Sequence, residues 1–126
     1  MTLARIGFAF NPTNPAAVEL RERAEAWCRL RKVEAWASPS GEYETVIREL
    51  PTTDVLVVLG GDGTFLRAAR AVAEVDVPIL GVNLGKVGFL SKVEAHELET
   101  VLAQVANGEY RIDERMTIEA TILRAG

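Results

Sequence analysis

The sequence predicts an α/β domain in which helices cover both faces of a parallel sheet. Apolar runs alternate with amphipathic segments along the chain, and this alternation is typical of βαβ units with right-handed crossovers. The run 55–59 is apolar throughout and rich in valine, as expected for a parallel strand that is buried on both faces. Three of the runs end in turns that contain glycine or asparagine, where such sheets bind ligands. We therefore expect a Rossmann-like, three-layer fold.

The first strand and the first helix are predicted over residues 6–10 and 16–31. The apolar run 6–10 ends at an Asn-Pro pair, which favours a turn. Asn14 suits the N-cap of the following helix and Pro15 its first position, because proline has no N–H to leave unsatisfied there. This helix is amphipathic, and we expect its apolar face to carry Val18, Ala24, Trp27 and Leu30.

Three further strands and three further helices continue the alternation. The strands are predicted over residues 33–36, 54–59 and 78–82, and the helices over 44–50, 65–75 and 95–105. Pro51 ends the first of these helices, because the residue before a proline disfavours helical geometry. The second is expected to bury Phe65, Leu66, Ala69 and Val72.

The C-terminal segment follows a different pattern. Apolar and polar side chains alternate over residues 116–123, which predicts a strand with one face in water. A lone strand is not stable. The segment therefore either pairs with the sheet described above or belongs to a domain that this chain does not contain.

Composition and charge exclude several classes of protein. A chain of 126 residues suits one small domain, and its net charge of −4 argues against general nucleic-acid binding. A single cysteine excludes a disulfide framework, and a single histidine excludes the usual zinc clusters. The N-terminus lacks an apolar signal segment, and the run 55–59 is too short to span a bilayer. We expect a cytoplasmic protein without nucleic-acid or membrane partners.

The turn 60–64 (Gly-Gly-Asp-Gly-Thr) is the most informative segment. Its glycines allow positive φ and leave the backbone open to a ligand. Successive N–H groups and the following helix N-terminus favour a phosphate, and the Thr64 hydroxyl could cap that helix or bind the ligand. A dinucleotide fingerprint would need glycine at position 66, which is leucine. A Walker loop would need serine or threonine after Lys86, where Val87 stands.

Asp62 needs an explanation because a carboxylate repels a phosphate. A cation between them would explain it, and so would a role as the base that accepts a proton from an attacking hydroxyl. The remaining alternative is local, since aspartate is common in tight turns and at helix caps.

Segment 60–64 resembles a signature shared by NAD kinases, diacylglycerol-type lipid kinases and, more loosely, phosphofructokinases. The second turn, 81–90 (Gly-Val-Asn-Leu-Gly-Lys-Val-Gly-Phe-Leu), separates them. It is similar to the NAD kinase motif Gly-Val-Asn-x-Gly-x-Leu-Gly-Phe-Leu, whereas lipid kinases would carry a Gly-Thr-x-Asn-Asp turn. From residue 6 to its end, the chain is identified as a member of the NAD kinase family.

This resemblance implies transfer of phosphate from ATP or polyphosphate to the 2′-hydroxyl of the adenosine ribose of NAD, which gives NADP. Asp62 matches the catalytic proton acceptor. The NAD-binding positions implied are Asp62, Gly63, Arg67, Phe89 and Leu90. The phosphate or ATP side is assigned to Gly60, Gly61 and Thr64. We add Asn11 and Asn83 to that side because they stand at neighbouring strand ends.

The resemblance also implies Mg²⁺ or another divalent cation with the phosphate donor, a homodimer or homotetramer, and a β-rich second domain. No protein ligand of the metal is assigned. We expect residues 1–112 to form the α/β domain and residues 113–126 to lead, as a strand without a partner here, into the absent domain. The chain alone is then an inactive half-enzyme. The alternatives are a lipid or phosphofructokinase-like kinase and a non-catalytic nucleotide-binding fragment.

Overall fold

Strands and helices alternate in the computed structural model, which describes residues 4–73, 75–84, 93–94, 98–106, 112–113 and 122–123. The strands are β1 (Arg5–Phe10), β2 (Glu34–Pro39), β3 (Val55–Gly60), β4 (Ile79–Asn83), β5 (Val93–Glu94), β6 (Ile112–Asp113) and β7 (Ile122–Leu123). The helices are α1 (Pro15–Leu30), α2 (Tyr43–Glu49), α3 (Asp62–Val72) and α4 (Leu98–Ala106). A 3₁₀ turn, Leu50–Thr52, follows α2 and contains the predicted stop at Pro51.

The described strands form one sheet in the order β2-β1-β3-β4-β7-β6, with β5 also paired to β4. β1 lies parallel between β2 and β3, so that Phe8 is opposite Ala37 on one side and Val57 on the other. β4 is parallel to β3. The predicted parallel α/β architecture is confirmed. Because β1, β3 and β4 run the same way, their carboxyl ends meet at one edge of the sheet.

Helices cover both faces of this sheet. Successive residues of a strand point to opposite faces, and β3 illustrates the result because all its residues are buried. Val57 and Leu59 pack in one core with α1 and α4, whereas Leu56 and Val58 pack in a second core with α2 and α3. The domain therefore has the three layers that the sequence predicts.

Gly7, in the middle of β1, makes room for an aromatic ring from the neighbouring strand. A Cβ placed on Gly7 would overlap the indole of Trp36. The indole Nε1–H donates a hydrogen bond of 2.9 Å to Thr53 Oγ1, and the ring packs against the α2–α3 core. Because Gly7 has no side chain, the Trp36 indole can lie directly against β1.

The start of α1 was predicted better than the buried faces of α1 and α3. Asn14 caps α1 by accepting from the Ala16 N–H, with Pro15 at the first position, as expected. Leu30 and Leu66, however, are exposed by 84% and 52%, so their placement in the core was wrong. Leu66 follows buried Phe65, and adjacent helical residues point about 100° apart. The side chains that α1 does bury are Ala17, Leu20, Ala24, Trp27 and Cys28.

An ion cluster joins the amino ends of the strands, opposite the ligand edge. The Arg5 guanidinium pairs with Glu34 and, at 2.5 Å, with Glu49. Asp54 Oδ2 accepts from the N–H groups of Ala4 and Arg5. The hydrogen bond from Arg5 lowers the pKa of Glu49. This cluster ties β1 to β2 and to the end of α2.

The described residues of the C-terminal segment have a partner in the sheet. Ile122 and Leu123 lie antiparallel to Leu80 and Ile79 of β4, and parallel to Ile112 and Asp113 of β6. The expectation that this strand is unpaired within the chain was wrong for these two residues. Backbone N–H and C=O groups on an uncovered edge of β4 favour such pairing. Residues 114–121 lie outside the described part, and the division at residue 112 stays a prediction.

Candidate functional site

Backbone hydrogen bonds join the carboxyl ends of three strands. The Asn11 N–H, just after β1, donates to the Leu59 carbonyl of β3 at 3.1 Å, and the Leu84 N–H, just after β4, donates to the Gly60 carbonyl at 3.3 Å. The Asn14 side-chain amide donates to the Leu84 carbonyl at 3.4 Å. The predicted convergence of these three strand ends is confirmed, and it forms the floor of a candidate site.

The glycine turn lies on this floor and leads directly into α3. Gly61 is the N-cap and Asp62 the first helical residue, so the helix begins three residues earlier than predicted. The first N–H groups of a helix have no partner within it and carry its positive end. They are therefore oriented to bind an anion at the mouth of the turn.

The glycines of the turn differ in what their packing requires, and none of them has an unusual backbone angle. Gly60, Gly61 and Gly63 all lie outside the positive-φ region, so the conformational freedom that glycine allows is not used here. A Cβ on Gly60 would lie 2.6 Å from Thr64 Oγ1, whereas a Cβ on Gly61 would meet nothing within 4 Å. Gly60 thus makes room for Thr64, and Gly61 leaves the approach to the backbone open.

Asp62 is half-buried in the first turn of α3. The N-cap is Gly61, so the interpretation of Asp62 as the cap residue does not hold. A carboxylate in a first helical turn is stabilised by the positive end of the helix. Its position beside the open turn suits it to accept a proton from a hydroxyl group held there.

Arg67, one turn further along α3, lies beside Gly63, the last glycine of the turn. Its Nη1 would lie 3.7 Å from a Cβ on Gly63, and its Nε–H donates to Ser40 Oγ at 3.4 Å. The assignment of both residues to NAD binding stays a prediction. Ser40 was not predicted as a site residue. It follows β2, and its place at the carboxyl end of a strand was the one sequence signal that could have identified it as a site residue.

Two of the predicted ligand contacts are engaged within the protein. Thr64 is only 2% exposed and packs on Gly60; it is the third residue of α3 and therefore not its cap. Asn11 Oδ1 accepts from both the N–H and the hydroxyl of Thr13, at 3.0 and 2.7 Å. Asn83 lies opposite Gly60 in the sheet. Phe89 and Leu90 lie outside the described residues.

A cleft of about 580 Å³ runs along the exposed side of α3. Its described lining residues all belong to α3 or directly follow it, so it is an open groove and not an enclosed pocket. One end of the cleft is the glycine turn, two arginines supply positive charge, and the remaining wall is apolar. Its lining residues are Gly63, Leu66, Arg67, Ala69, Arg70 and Ala73.

The single cysteine takes no part in this site. Cys28 is buried on the inner face of α1. Burial, with a smaller contribution from Glu25, raises the pKa of its thiol to about 11. A neutral thiol is a poor nucleophile and metal ligand, so the role of Cys28 is packing in the core.

Residues 2–110 match the family model described as ATP-NAD kinase N-terminal domain. The chain belongs to the NAD kinase family. An NAD kinase from Heliobacterium modesticaldum is 40% identical over 131 residues, which cover 96% of this chain and 45% of that protein. One from Rhodococcus erythropolis is 38% identical, over 96% of this chain and 40% of that protein. The chain thus spans less than half the length of these NAD kinases.

A solved structure supports the fold of this NAD kinase domain. The crystal structure of yeast NADH kinase complexed with NADH superposes with a TM-score of 0.72, over 86% of this chain and 37% of that one. The identity is 23%, so this likeness concerns the fold alone. Among the described residues, no cluster of three or more His, Cys, Asp or Glu side chains could hold a metal. Within the same ranges, no helix has the length and apolarity needed to cross a membrane.

Proposed function

We propose that this chain supplies the phosphate-binding turn and the catalytic base of an NAD kinase. The reaction would be phosphorylation of the 2′-hydroxyl of the adenosine ribose of NAD by ATP or polyphosphate, which gives NADP. One observation carries the proposal: Asp62 stands in the first turn of α3, directly after an open glycine turn where three strand ends meet. The choice of NAD as the substrate rests on membership of the NAD kinase family.

In the proposed reaction, the Asp62 carboxylate accepts the proton of the ribose 2′-hydroxyl. The 2′-oxygen forms a bond to the terminal phosphorus of the donor, and the bond from that phosphorus to the bridging oxygen breaks. ADP, or polyphosphate shortened by one unit, leaves. The N–H groups at Gly61 and at the start of α3 would stabilise the charge on the transferred group, which is the main need of phosphoryl transfer.

Arg67 and Gly63 are proposed to bind NAD, because the guanidinium lies beside Gly63 and adds positive charge to the lining of the cleft. Phe89 and Leu90 are proposed NAD contacts by resemblance. Gly60, Thr64, Asn11 and Asn83 are proposed to shape the phosphate side. Thr64 and Asn11 already make contacts within the protein, which favours a structural role for them over direct ligand binding.

A divalent cation such as Mg²⁺ is proposed to enter with the phosphate donor. Mg²⁺ often keeps several waters and binds largely through substrate phosphates. The cation would neutralise the charge of those phosphate oxygens, and no protein ligand is assigned to it because Asp62 is assigned the role of base. We further propose a cytoplasmic location and a homodimer or homotetramer.

The substrate class is tested with a chimera in which this chain replaces the matching segment of the Heliobacterium NAD kinase. With ATP and Mg²⁺, we expect the chimera to phosphorylate NAD and to leave diacylglycerol and fructose 6-phosphate unchanged. Polyphosphate is assayed as a second donor. Turnover of the lipid or the sugar phosphate, without NADP formation, would contradict the proposal.

The same assay on residues 1–126 alone tests the expectation that this chain is inactive without further residues. NADP formation by the isolated chain would contradict it. Nucleotide binding without turnover would agree with this expectation. The chimera then tests the non-catalytic alternative, because that alternative predicts that the chimera forms no NADP.

A further inference from the structure

The orientation of Arg67 depends on a residue 27 positions earlier in the chain. Arg67 is an exposed residue of α3, and its described hydrogen bond is the donation from Nε–H to Ser40 Oγ at 3.4 Å. With that contact in place, one outer nitrogen of the guanidinium, Nη1, lies 3.7 Å from the position of a Cβ on Gly63. An arginine side chain carries about 2 kcal/mol of rotamer entropy. A hydrogen-bond acceptor in a fixed position is therefore needed to hold the guanidinium in one place.

Ser40 is suited to be that acceptor because it is itself held firmly. Its N–H donates to the Phe10 carbonyl at 2.8 Å, which anchors it to the carboxyl end of β1. The residue is 5% exposed, so its hydroxyl is largely shielded from water that would compete for the arginine. Ser40 therefore links the flexible Arg67 side chain to the carboxyl end of the sheet.

We propose that Ser40 is a positioning residue that holds the Arg67 guanidinium beside Gly63, where it is ready for a phosphate group of the dinucleotide substrate. The inference rests on the proposed function, through the assignment of Arg67 to NAD binding. A cation ordered before the ligand arrives loses less entropy on binding. Without the Ser40 hydroxyl, Arg67 would have to be ordered by the substrate.

Ser38 provides a matched control. It lies two residues earlier on β2, is 2% exposed, and its hydroxyl donates to the Pro39 carbonyl at 3.1 Å. Ser40→Ala and Ser38→Ala therefore remove the same atom from two similarly buried sites, one near the end of β2 and the other directly after it. Only the first removes the acceptor of Arg67, so a general loss of packing would affect both variants alike.

The kinetic test uses the chimera with Ser40→Ala, Ser38→Ala, Arg67→Ala and the double variant Ser40→Ala/Arg67→Ala. We expect Ser40→Ala to raise KM for NAD about three- to tenfold, the range of one hydrogen bond, with kcat unchanged. In the Arg67→Ala background, Ser40→Ala should change KM by less than about 1.5-fold, because the two residues act as one unit. Equal effects of Ser40→Ala in both backgrounds, or of both serine variants, would overturn the proposal.

A second readout is independent of activity. In the isolated chain, exchange of the Arg67 Nε–H with water, followed by ¹⁵N NMR, should be slower than that of exposed Arg70. Ser40→Ala should remove this difference and Ser38→Ala should keep it. If the chimera forms no NADP while this protection is observed, the proposed function fails and the positioning contact stands. If NADP forms and Arg67→Ala raises KM but Ser40→Ala does not, only the positioning role fails.

Discussion

Alanine substitution at the two consecutive glycines of the turn should separate packing from ligand access. Gly60→Ala would place a methyl group 2.6 Å from Thr64 Oγ1 and 2.8 Å from Thr64 Cβ. Both distances are well inside van der Waals contact, so β3 or α3 must move. Overpacking of this kind costs about 1–3 kcal/mol. For a domain of this size, that loss lowers Tm by about 4–12 °C.

Gly61→Ala should behave in the opposite way. A Cβ there meets no atom within 4 Å, and the residue has φ −97°, which alanine adopts freely. We expect the free energy of unfolding to change by less than about 0.5 kcal/mol. The added methyl, however, stands where a phosphate would approach the backbone, so KM for the phosphate donor should rise in the chimera.

Urea unfolding of the isolated chain, followed by circular dichroism, measures the first effect, and kinetics of the chimera measure the second. The variant Gly60→Ala/Thr64→Ala provides a check on the cause. It removes the Oγ1 contact, so it should lose less stability than the sum of the two single variants. Equal stability of Gly60→Ala and wild type would refute the packing argument, and a destabilised Gly61→Ala would refute the open approach.

Three further predictions concern parts of the molecule outside the turn. Lys32 has φ 57° just after α1, a backbone conformation that glycine adopts more readily. Lys32→Gly should therefore raise the free energy of unfolding in urea by about 0.5–1 kcal/mol, and a lower free energy of unfolding would contradict this. The lowered pKa of Glu49 means that its pairing with Arg5 stabilises the fold above the ordinary glutamate pKa and is lost as pH falls through the folded-state value. Unfolding between pH 5 and about pH 3 should therefore depend less on pH in Glu49→Gln, and an unchanged slope would exclude this role. Cys28, with its thiol pKa raised to about 11, should resist thiol reagents at neutral pH until the chain is unfolded, and rapid labelling of the folded chain would contradict its burial.

The order of strands and helices could be predicted because it depends on local hydrophobic periodicity. β3 is apolar at every position, and Asn14 with Pro15 marks a helix start by chemistry that needs no tertiary contact. The start of α3 could not be predicted in this way. Glycine disfavours helices, yet Gly63 lies in the first turn because the end of β3 fixes where the helix begins.

The candidate site was predictable only in part. The glycine turn and Asp62 are recognisable from residue types at fixed spacing, and the meeting of the strand ends follows from parallel topology. Ser40 was missed because its contact with Arg67 spans 27 positions and depends on how the turn after β2 approaches α3. The pairing of Ile122 and Leu123 with β4 likewise joins distant segments, which a pattern of alternating side chains cannot specify.

The central claim is that Asp62 accepts the proton of the 2′-hydroxyl, and Asp62→Asn in the chimera tests it most directly. This variant keeps the shape of the side chain but cannot act as a base, so kcat for NADP formation should fall by about 10²–10⁴ with KM for NAD little changed. Glu99→Gln, an exposed acid in the first turn of α4, is the matched control and should retain wild-type rates. Wild-type turnover by Asp62→Asn would contradict the account.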